Sequence, residues 1–398
     1  MNIALFAPYL PAPTHSGGRI RIQQFARALA RLGKLSLFAC ADPRDLALHG
    51  RDPELDLYDD THFAKAAHAW VTLPARPARV RRCSPRALLH QFLDAHEKQR
   101  FSAIVVEHSH AAALALEQSE LPWLLDEHNV ESRYLEAKIA SSRRPRLPLD
   151  RVEVRALERW EQRAWRRAQR VVCVSEGDAA TIEAASGRTP LIIPNGVDLG
   201  RVPFLLPSHR RGFELLFVGV LGHPPNAAAA LWLAREVLPR VLRSEPRAKL
   251  VLCGADPSAE VAKLACDSVT VTGRVTSVAP YLQRAAVYVN ALQQGAGSSL
   301  KVLEALASGL PLVSTASGVR GFALADREHY LHAESADQFA QAILRCLAEP
   351  AACDSAARRG RRFAEAHDFE QLAQRFATAV HAVATGSPST TRVRGSDA

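Results

Sequence analysis

A small-residue loop followed by a lysine and a glutamate is the part of this sequence best suited to chemistry. Residues 295–301 read GAGSSLK and precede an apolar helical pattern. Such a loop can turn several backbone N–H groups toward one point, and the helix start adds the positive end of its dipole. Lys301 is unfavourable in a first helical turn, which indicates that a bound anion compensates for its charge. Glu304 lies about one turn later on the same face. An ordinary αβ unit with a glycine C-cap at Gly309 and a solvated lysine is the alternative.

Two loops in the first half of the chain also follow predicted strands. Ahead of a basic helix, the first loop ends in three small residues, Ser16, Gly17 and Gly18. This turn suits an anion, but it matches neither a dinucleotide fingerprint nor a phosphate loop, so NAD and ATP are not indicated. The second loop, DEHNVE, contains Glu127, His128 and Asn129, and polar groups at such a strand end favour function. A structural histidine is the alternative for His128.

Two loops in the second half of the chain combine glycine with a basic side chain. One contains Gly222 and His223, and the other contains Gly273, Arg274 and Val275. Glycine lets a ligand approach the backbone, and Arg274 or His223 could reach a phosphate group. A solvated arginine is the alternative for Arg274.

Length and composition predict a globular chain of two domains. The sequence has 398 residues, of which 47% are hydrophobic and 23% are charged. No apolar run approaches the ~18 residues of a membrane span. The start, MNIALFAPYLPAP, predicts a first strand rather than a signal peptide. Seven cysteines without a CxxC pair argue against a disulfide framework or a zinc site and indicate a reducing cytoplasm.

The positive charge of the sequence is concentrated in arginine clusters. The formal net charge is +9, and one arginine-rich stretch is Arg143–Arg170. This stretch predicts a long helix with a basic surface and with Trp160 and Trp165 as aromatic anchors, which is typical of a segment on anionic lipid. A solvated helix with internally paired charges is the alternative. Nucleic acid is disfavoured as a partner, because no nucleic-acid-binding module accompanies the charge.

Predicted strands alternate with helices, a pattern typical of parallel sheets covered on both faces. We therefore expect an α/β fold with two doubly wound domains that face each other across a cleft and bind ligands beyond the carboxyl ends of the strands. The interval Arg201–Arg211 is the predicted linker. We place the first domain at 1–205, with a helix at about 366–384 that packs back on it. The second domain is placed at 206–365 and a disordered tail at 385–398. The predicted strands are 3–7, 35–39, 103–107, 123–126, 171–175 and 191–194, then 214–219, 249–254, 269–273, 287–290 and 311–315. Helices of the second domain are predicted at 226–242, 260–266 and 337–348.

Seven motifs follow one another along the chain: APYLPAPTHSGG, LLDEHNVES, VVCVSEGD, LIIPNGVD, LLFVGVLGHPPN, VTVTGRV and GAGSSLKVLEALASGLPLVST. Their order and spacing resemble the retaining glycosyltransferases of family 4, which have the two-domain, Rossmann-like GT-B fold. The resemblance implies a nucleotide-diphosphate sugar in the second domain and an acceptor in the first. It implies that Glu304 binds the ribose and that Gly273–Val275 border the base. The loop residues expected at the diphosphate are Gly297, Ser298, Ser299 and Leu300. The residues expected on the acceptor side are Ser16, Gly17, Gly18, Glu127 and Asn129.

Two departures from the family pattern change the charge expected near the diphosphate. The family has a glutamate eight residues before Glu304, where this sequence has Ala296. It also has an Arg/Lys pair after the first strand of the second domain, where this loop has neither. Lys301 is the best substitute, with Arg274 and Arg320 as secondary candidates. The loop is closest to a subgroup with G-x-G-x-x-x-K-V-L-E-A, which is associated with exopolysaccharide and cell-surface glycan assembly.

The expected activity is that of a metal-independent hexosyltransferase without a cofactor, in which His128, Lys301 and Glu304 are catalytic and His128 lies near the reacting sugar. The donor is a nucleotide-diphosphate sugar, and the acceptor is a lipid-linked, polysaccharide or other glycan. No carboxylate pair for double displacement is evident, so the resemblance implies retention by same-face attack. A nucleotide-sugar epimerase on the same fold and an inactive binding scaffold are alternatives. We expect a cytoplasmic location, with peripheral attachment to the inner face of the cell membrane.

Overall fold

The computed structural model describes residues 1–14, 16–66, 76–118, 120–140, 147–293 and 300–387. These residues form two compact units. Unit 1 comprises Met1–Thr14, Gly18–Pro194 and the described part of Leu372–Ala398. Unit 2 comprises the described part of His15–Gly17 together with Asn195–Gln371. The predicted linker Arg201–Arg211 therefore lies within unit 2.

Unit 1 is built on a parallel sheet. Its strands are β1 (Asn2–Ala7), β2 (Lys34–Cys40), β3 (Asp60–Ala64), β4 (Ala103–Glu107), β5 (Trp123–Glu127), β6 (Arg170–Cys173) and β7 (Leu191–Ile192). Its helices are α1 (Gly17–Ala30), α2 (Pro43–His49), α3 (Ala78–Cys83), α4 (Arg86–Gln99), α5 (Ala113–Gln118), α6 (Glu131–Ala140), α7 (Pro148–Arg167) and α8 (Glu176–Ser186). Within the described residues the strand order is β3-β2-β1-β4-β5-β6-β7. The direction in which successive strands are added to the sheet reverses between β1 and β4, as in a doubly wound fold. Ligands bind such sheets at this switch point.

The central strands of unit 1 form where the sequence has unbroken apolar runs. In β1 (NIALFA) and β4 (AIVVE) almost every side chain is buried, as expected for parallel strands covered on both faces. The six strands predicted here are present, with ends shifted by one or two residues. Strand β3 (DTHFA) was missed because it is an edge strand with two exposed polar residues at its start.

Unit 2 contains a second parallel sheet of the same kind. Its strands are β8 (Glu214–Val218), β9 (Lys249–Cys253), β10 (Val269–Val271), β11 (Val287–Asn290), β12 (Leu312–Ser314) and β13 (Leu331–His332). Its helices are α9 (Pro224–Trp232), α10 (Leu238–Leu242), α11 (Ala259–Ala262), α12 (Ala279–Arg284), α13 (Leu300–Ala307), α14 (Ala336–Ala348) and α15 (Asp354–Glu365). In the described part of the unit the order is β10-β9-β8-β11-β12-β13. The switch point therefore lies between β8 and β11.

Three elements of unit 2 differ from the sequence prediction. The helix predicted at 226–242 contains a π-helical turn, Leu233–Val237, just before Pro239, which has no N–H to donate. The helix predicted at 260–266 ends at Ala262, because Cys266 exchanges backbone hydrogen bonds with Val269 and turns the chain into β10. Strand β13 was missed because one of its two residues, His332, is polar and exposed, so the segment leaves no apolar run in the sequence.

The arginine-rich segment forms α7, but its tryptophans do not lie on the surface. Trp160 and Trp165 are only 4% and 2% exposed, and their indole N–H groups donate to Ser109 O and Glu127 Oε1, both at 2.8 Å. The prediction of aromatic anchors was wrong, because the apolar stripe of α7 packs into the core of unit 1. Arg170 belongs to β6, and residues 141–146, which include three of the arginines, lie outside the described residues.

The last helix is α16 (Phe369–Thr385), which is counted with unit 1 from Leu372 onward. Phe376 of α16 stacks on Phe25 of α1 with ring centroids 4.4 Å apart. Most of the predicted tail, residues 388–398, lies outside the described residues. None of the described helices is both long enough and apolar enough to span a membrane.

Arg210 holds the predicted linker against two helix ends of unit 2. Its guanidinium is buried and donates to five carbonyl oxygens. Four of them belong to residues in or just after the last turns of α12 and α13: Leu282 at 2.7 Å, Gln283 at 3.2 Å, Ala285 at 2.9 Å and Ser308 at 2.6 Å. The fifth belongs to Leu205, at 3.3 Å. A cation at helix C-termini satisfies carbonyls that have no partner within the helix. Burial lowers the pKa of Arg210 to about 10, so the side chain stays charged at neutral pH.

We expect Arg210→Ala to lower the free energy of unfolding of unit 2 by about 3 kcal/mol, because several buried carbonyls lose a charged donor. Urea unfolding followed by circular dichroism measures the change. Arg211→Ala is the matched control, since Arg211 is exposed. Equal unfolding midpoints for the two variants would show that Arg210 does not hold this segment.

Candidate functional site

The carboxyl ends of β1, β4 and β5 bring an unusual number of buried charged and polar side chains together in unit 1. These strands are neighbours in the sheet and flank its switch point. The titratable residues collected there are Tyr9, Arg21, Glu107, His108, His110, Asp126, Glu127, His128 and Glu131. Such groups are costly to bury unless they pair with one another. Their contacts therefore determine what this end of unit 1 can do.

Arg21 and Asp126 form a fully buried bidentate ion pair. Arg21 Nε and Nη2 donate to the two carboxylate oxygens of Asp126, both at 2.8 Å, and Nη1 donates to Pro194 O at 3.1 Å. The Arg21 guanidinium also lies 4.4 Å from the centre of the Phe25 ring. Burial alone would raise the pKa of Asp126, but Arg21 holds it well below its usual range. Asp126 is therefore a permanent carboxylate beside His128.

His128 is buried at the end of β5 and is oriented by two acids. Its Nε2 lies 2.8 Å from Glu107 Oε2 and 3.4 Å from Asp126 Oδ2. Burial, reinforced by the Asp126 charge, raises the pKa of Glu107 well above its usual range. Glu107 and Asp126 therefore hold the imidazole on its Nε2 side, and their pKa values are shifted in opposite directions.

The small residues predicted on the acceptor side lie next to this histidine. Gly17 begins α1, with Ser16 just before it. A Cβ on Gly18 would lie 2.3 Å from Tyr9 Oη and 3.4 Å from His128 Nδ1, so a larger residue would collide there. The structure thus brings together Gly18 and His128, which the sequence had singled out separately.

Glu127 and Asn129 flank His128 but differ in environment. Glu127 is buried and accepts from Trp165 Nε1 at 2.8 Å and from the Ser109 amide at 3.1 Å. Burial and the nearby Glu161 raise the pKa of Glu127 well above its usual range. Asn129 is only partly buried. The location of Glu127 favours a structural role over contact with an acceptor.

Glu131 ends the DEHNVE loop that the sequence had indicated, whereas His108 and His110 of the same region were not predicted. His108 Nδ1 lies 2.9 Å from Glu131 Oε1, and Arg79 Nη1 donates to Glu131 Oε2 at 2.6 Å. Burial would raise the pKa of Glu131, but His110, His108 and Arg79 hold it well below its usual range. Burial lowers the pKa values of both histidines, to about 3 for His110. The available sequence signal was the HSH triplet directly after β4.

Glu161 of α7 also belongs to this region rather than to the helix surface. Its carboxylate is buried and accepts from the amides of Glu131 and Ser132, at 2.5 and 3.1 Å, at the start of α6. Burial raises the pKa of Glu161 to about 8. Glu161 has no arginine three or four residues away along α7, and its carboxylate caps the start of α6 instead of forming an ion pair within its own helix.

In unit 2, Lys301 lies in the first turn of α13 near the end of β8. Its Nζ donates to Asn226 Oδ1 at 2.8 Å and lies 4.8 Å from the centre of the Phe217 ring. A Cβ on Gly219 would lie 2.9 Å from Nζ, so the glycine makes room for the ammonium group. Burial lowers the pKa of Lys301 to about 8, although the negative charge of Glu304 opposes this shift.

Glu304 lies one turn after Lys301 and is also half-buried. Burial raises its pKa to about 7, and the Lys301 charge limits the rise. Among the described residues its carboxylate has neither a hydrogen-bond partner nor an ion-pair partner within 4.0 Å. The oxygens of Glu304 can therefore accept hydrogen bonds from a ligand.

The other residues predicted at the donor site lie in loops after β8 and β10. A Cβ on Gly222 would lie 2.4 Å from Asp256 O, and Gly273 has a φ of +67°. Arg274 lies 3.6 Å from Asp256 Oδ2, and both side chains are largely exposed. His223 is exposed at the start of α9, and Val275 and Leu300 are half-buried. The predicted loop residues Gly297, Ser298 and Ser299, with Ala296, lie outside the described residues.

Arg320 is the second cation of interest in unit 2. It lies in the segment after β12, and its Nε is buried without a hydrogen-bond partner among the described residues. Burial lowers its pKa. An unsatisfied guanidinium nitrogen is costly unless a ligand pairs with it, which distinguishes Arg320 from Arg274.

Two family models match successive parts of the chain. A family model described as Glycosyltransferase Family 4 matches residues 15–201, and one described as Glycosyl transferases group 1 matches residues 212–349. No curated protein matches the chain by sequence.

Solved structures show the same fold at low sequence identity. Sucrose-phosphate synthase (tll1590) from Thermosynechococcus elongatus is 20% identical, with a TM-score of 0.71, and the match covers 97% of this chain and 100% of that chain. Alr3699/HepE from Anabaena, in complex with UDP, is 13% identical, with a TM-score of 0.67 and coverage of 96% and 100%. A glycosyltransferase from Rickettsia africae ESF-5 is 12% identical, with a TM-score of 0.64 and coverage of 96% and 98%. Both parallel sheets and both family models therefore lead to one conclusion: the chain belongs to glycosyltransferase family 4 and is a glycosyltransferase with the GT-B fold.

Proposed function

We propose that this glycosyltransferase is a retaining enzyme that binds a nucleoside diphosphate sugar through unit 2 and a glycan or lipid-linked acceptor through unit 1. The observation that carries the proposal is the state of Lys301. Among the residues that the structure describes, its ammonium group is hydrogen-bonded to the neutral amide of Asn226 and to no carboxylate. The positive charge at the start of α13 is therefore available to an anionic ligand.

Charge development in the reaction explains why such a lysine is useful. Cleavage of the anomeric bond places negative charge on the leaving diphosphate. A preorganised cation and a helix dipole stabilise this charge without reorganisation, and one such donor is worth about 3 kcal/mol. Lys301 and the start of α13 supply both, and Arg320 offers a further cation. The proposal therefore requires no metal ion at the diphosphate.

Glu304 is suited to the hydroxyl groups of a ribose. A carboxylate accepts two hydrogen bonds from neighbouring hydroxyls, and Glu304 has no competing partner among the described residues. Alr3699/HepE has been solved with UDP and with UDP-glucose, which supports a nucleoside diphosphate sugar as the donor class and UDP as a first probe.

His128 is our candidate for the group that orients the reacting sugar. Glu107 and Asp126 hold its Nε2 side, which leaves Nδ1 directed toward Gly18 at the start of α1. A Cβ on Gly18 would collide with Tyr9 Oη, so the glycine is needed where α1 approaches this nitrogen. A sugar hydroxyl that reached Nδ1 would meet an imidazole nitrogen of fixed orientation.

We expect Lys301→Ala to reduce donor turnover about 100-fold or more, because the leaving diphosphate loses its principal cation. Steady-state assays across a panel of nucleotide sugars measure the loss. Lys263→Ala is the matched control, since Lys263 is an exposed lysine of the same unit. Near-normal turnover by a folded Lys301→Ala variant would remove Lys301 from this role.

The pKa values of Lys301 and Glu304 predict that UDP binding is strongest between about pH 7 and pH 8. Below this window Glu304 becomes protonated and accepts hydrogen bonds less well, and above it Lys301 loses its charge. Calorimetric titration of UDP over a pH series measures the profile.

Two variants test the acidic and the alkaline side of this pH profile separately. Lys301→Arg should keep affinity at alkaline pH, because a guanidinium stays charged there. Glu304→Gln should remove the loss of UDP affinity on the acidic side. A wild-type affinity that rises steadily above pH 8 would contradict the assignment of Lys301.

We also propose that unit 1 attaches to anionic membrane through the beginning of α7. Leu147, Leu149 and Val152 are 52%, 70% and 50% exposed, and they are three of the five large hydrophobic residues that are most exposed in the described chain. Exposed arginines continue along the same helix: Arg151, Arg155, Arg159, Arg163, Arg166 and Arg167. Apolar insertion next to basic charge is the combination that binds anionic lipid surfaces.

Leu149→Asp should weaken binding to phosphatidylglycerol-containing vesicles about tenfold or more, because a leucine no longer inserts. Co-sedimentation with and without the anionic lipid measures this. Leu93→Asp is the matched control, since Leu93 is an exposed leucine on α4. Equal losses in both variants would show that the beginning of α7 is not the contact.

A further inference from the structure

His108, His110 and Glu131 form a buried cluster that the proposed glycosyl transfer does not use. They lie in unit 1, after β4 and at the start of α6. Each offers one ligand atom, and the three atoms lie within 4.8 Å of one another. His108 Nδ1 lies 2.9 Å from Glu131 Oε1, and His110 Nδ1 lies 3.8 Å from Glu131 Oε2.

One nitrogen of this cluster has no hydrogen-bond partner among the residues that the structure describes. His110 is 8% exposed, and its Nδ1 is buried without a hydrogen-bond partner among the described residues. A buried nitrogen in this state costs free energy unless something binds it. The atom faces the Glu131 carboxylate, so a cation between them would satisfy both groups.

The groups around the cluster already orient the other two ligands. Tyr9 Oη lies 3.2 Å from His108 Nε2, which leaves His108 Nδ1 as the nitrogen that faces Glu131. Arg79 Nη1 donates to Glu131 Oε2 and holds that carboxylate in place. Metal ligands are commonly fixed in this way by outer hydrogen bonds, imidazoles through the second ring nitrogen and carboxylates through a second donor.

We propose that His108 Nδ1, His110 Nδ1 and the Glu131 carboxylate bind a divalent cation of the zinc type. Two imidazoles and one carboxylate form a ligand set typical of zinc, with a fourth position left for water. Zinc bonds of 2.0–2.2 Å to N and O place tetrahedral ligand atoms roughly 3.3 Å apart. The two separations to Glu131, 2.9 and 3.8 Å, lie on either side of this value, and the two imidazole nitrogens lie within 4.8 Å of each other, so side-chain rotations would bring the three atoms to this spacing.

The bound ion would hold the segment after β4 against the start of α6. The His108 and His128 ring centroids are 4.0 Å apart, so the ion would also stiffen the wall on which His128 rests. This role is distinct from the chemistry assigned to Lys301 and Glu304. The cysteine spacing used in the sequence analysis could not reveal this site, because none of its ligands is a cysteine.

Binding of zinc to the full-length, chelator-treated protein tests the proposal. We expect one zinc ion per chain, a higher melting temperature with zinc than without it, and a visible absorption band when Co²⁺ replaces the spectroscopically silent zinc. His110→Asn should weaken the affinity about 100-fold or more, because one of three protein ligands is lost. His90→Asn is the matched control, since His90 is exposed on α4.

A neighbouring cluster provides a decisive comparison. Glu107, Asp126 and His128 also place three ligand atoms within reach of one ion. If zinc binding survives His110→Asn but is lost in His128→Asn, the ion belongs to that cluster and the proposal is overturned. The absence of zinc binding, of a melting shift and of a Co²⁺ band in the wild-type protein would overturn it without relying on any variant.

Discussion

The buried ion pair between Arg21 and Asp126 is the interaction on which unit 1 depends. It links the first helix of the unit, the end of β5 and the carbonyl of Pro194. An isolated charge at this depth would be prohibitive, and even a paired charge repays its desolvation only with good geometry and further hydrogen bonds. Arg21 meets both conditions. It thereby allows a permanent carboxylate to lie beside His128 at the buried end of β5.

The cost of burying a positive charge is offset differently at two places in unit 2. Arg210 saturates its donors with carbonyl oxygens at helix ends, so its charge serves to hold structure. Lys301 has a neutral amide as its hydrogen-bond partner, so its charge is not cancelled. A cation whose hydrogen-bond donors are all satisfied stabilises the fold, whereas a cation whose donors are only partly satisfied can bind an anion. This difference separates structural from functional cations in a chain that contains many arginines.

The central strands of each sheet were predictable, whereas one edge strand of each sheet was not. Central parallel strands are buried on both faces and therefore leave continuous apolar runs in the sequence. The edge strands β7 and β10 were also predicted. The other two edge strands, β3 and β13, carry polar residues in short segments, so they gave no such signal. The tryptophans of α7 were misassigned for a related reason. An amphipathic pattern shows that a helix has an apolar face, but it does not show whether lipid or protein covers that face.

The sequence by itself determined the fold class, the family and the motif that contains Lys301 and Glu304, because these depend on residue order over short distances. Only the tertiary structure decided which charges meet. Arg21 and Asp126 are 105 positions apart, and Lys301 and Asn226 are 75 positions apart. Contacts over such distances follow from strand order at the switch point, where loops distant in sequence converge. For that reason the sequence did not indicate the cluster of His108, His110 and Glu131, which forms because β4 and β5 lie side by side in the sheet.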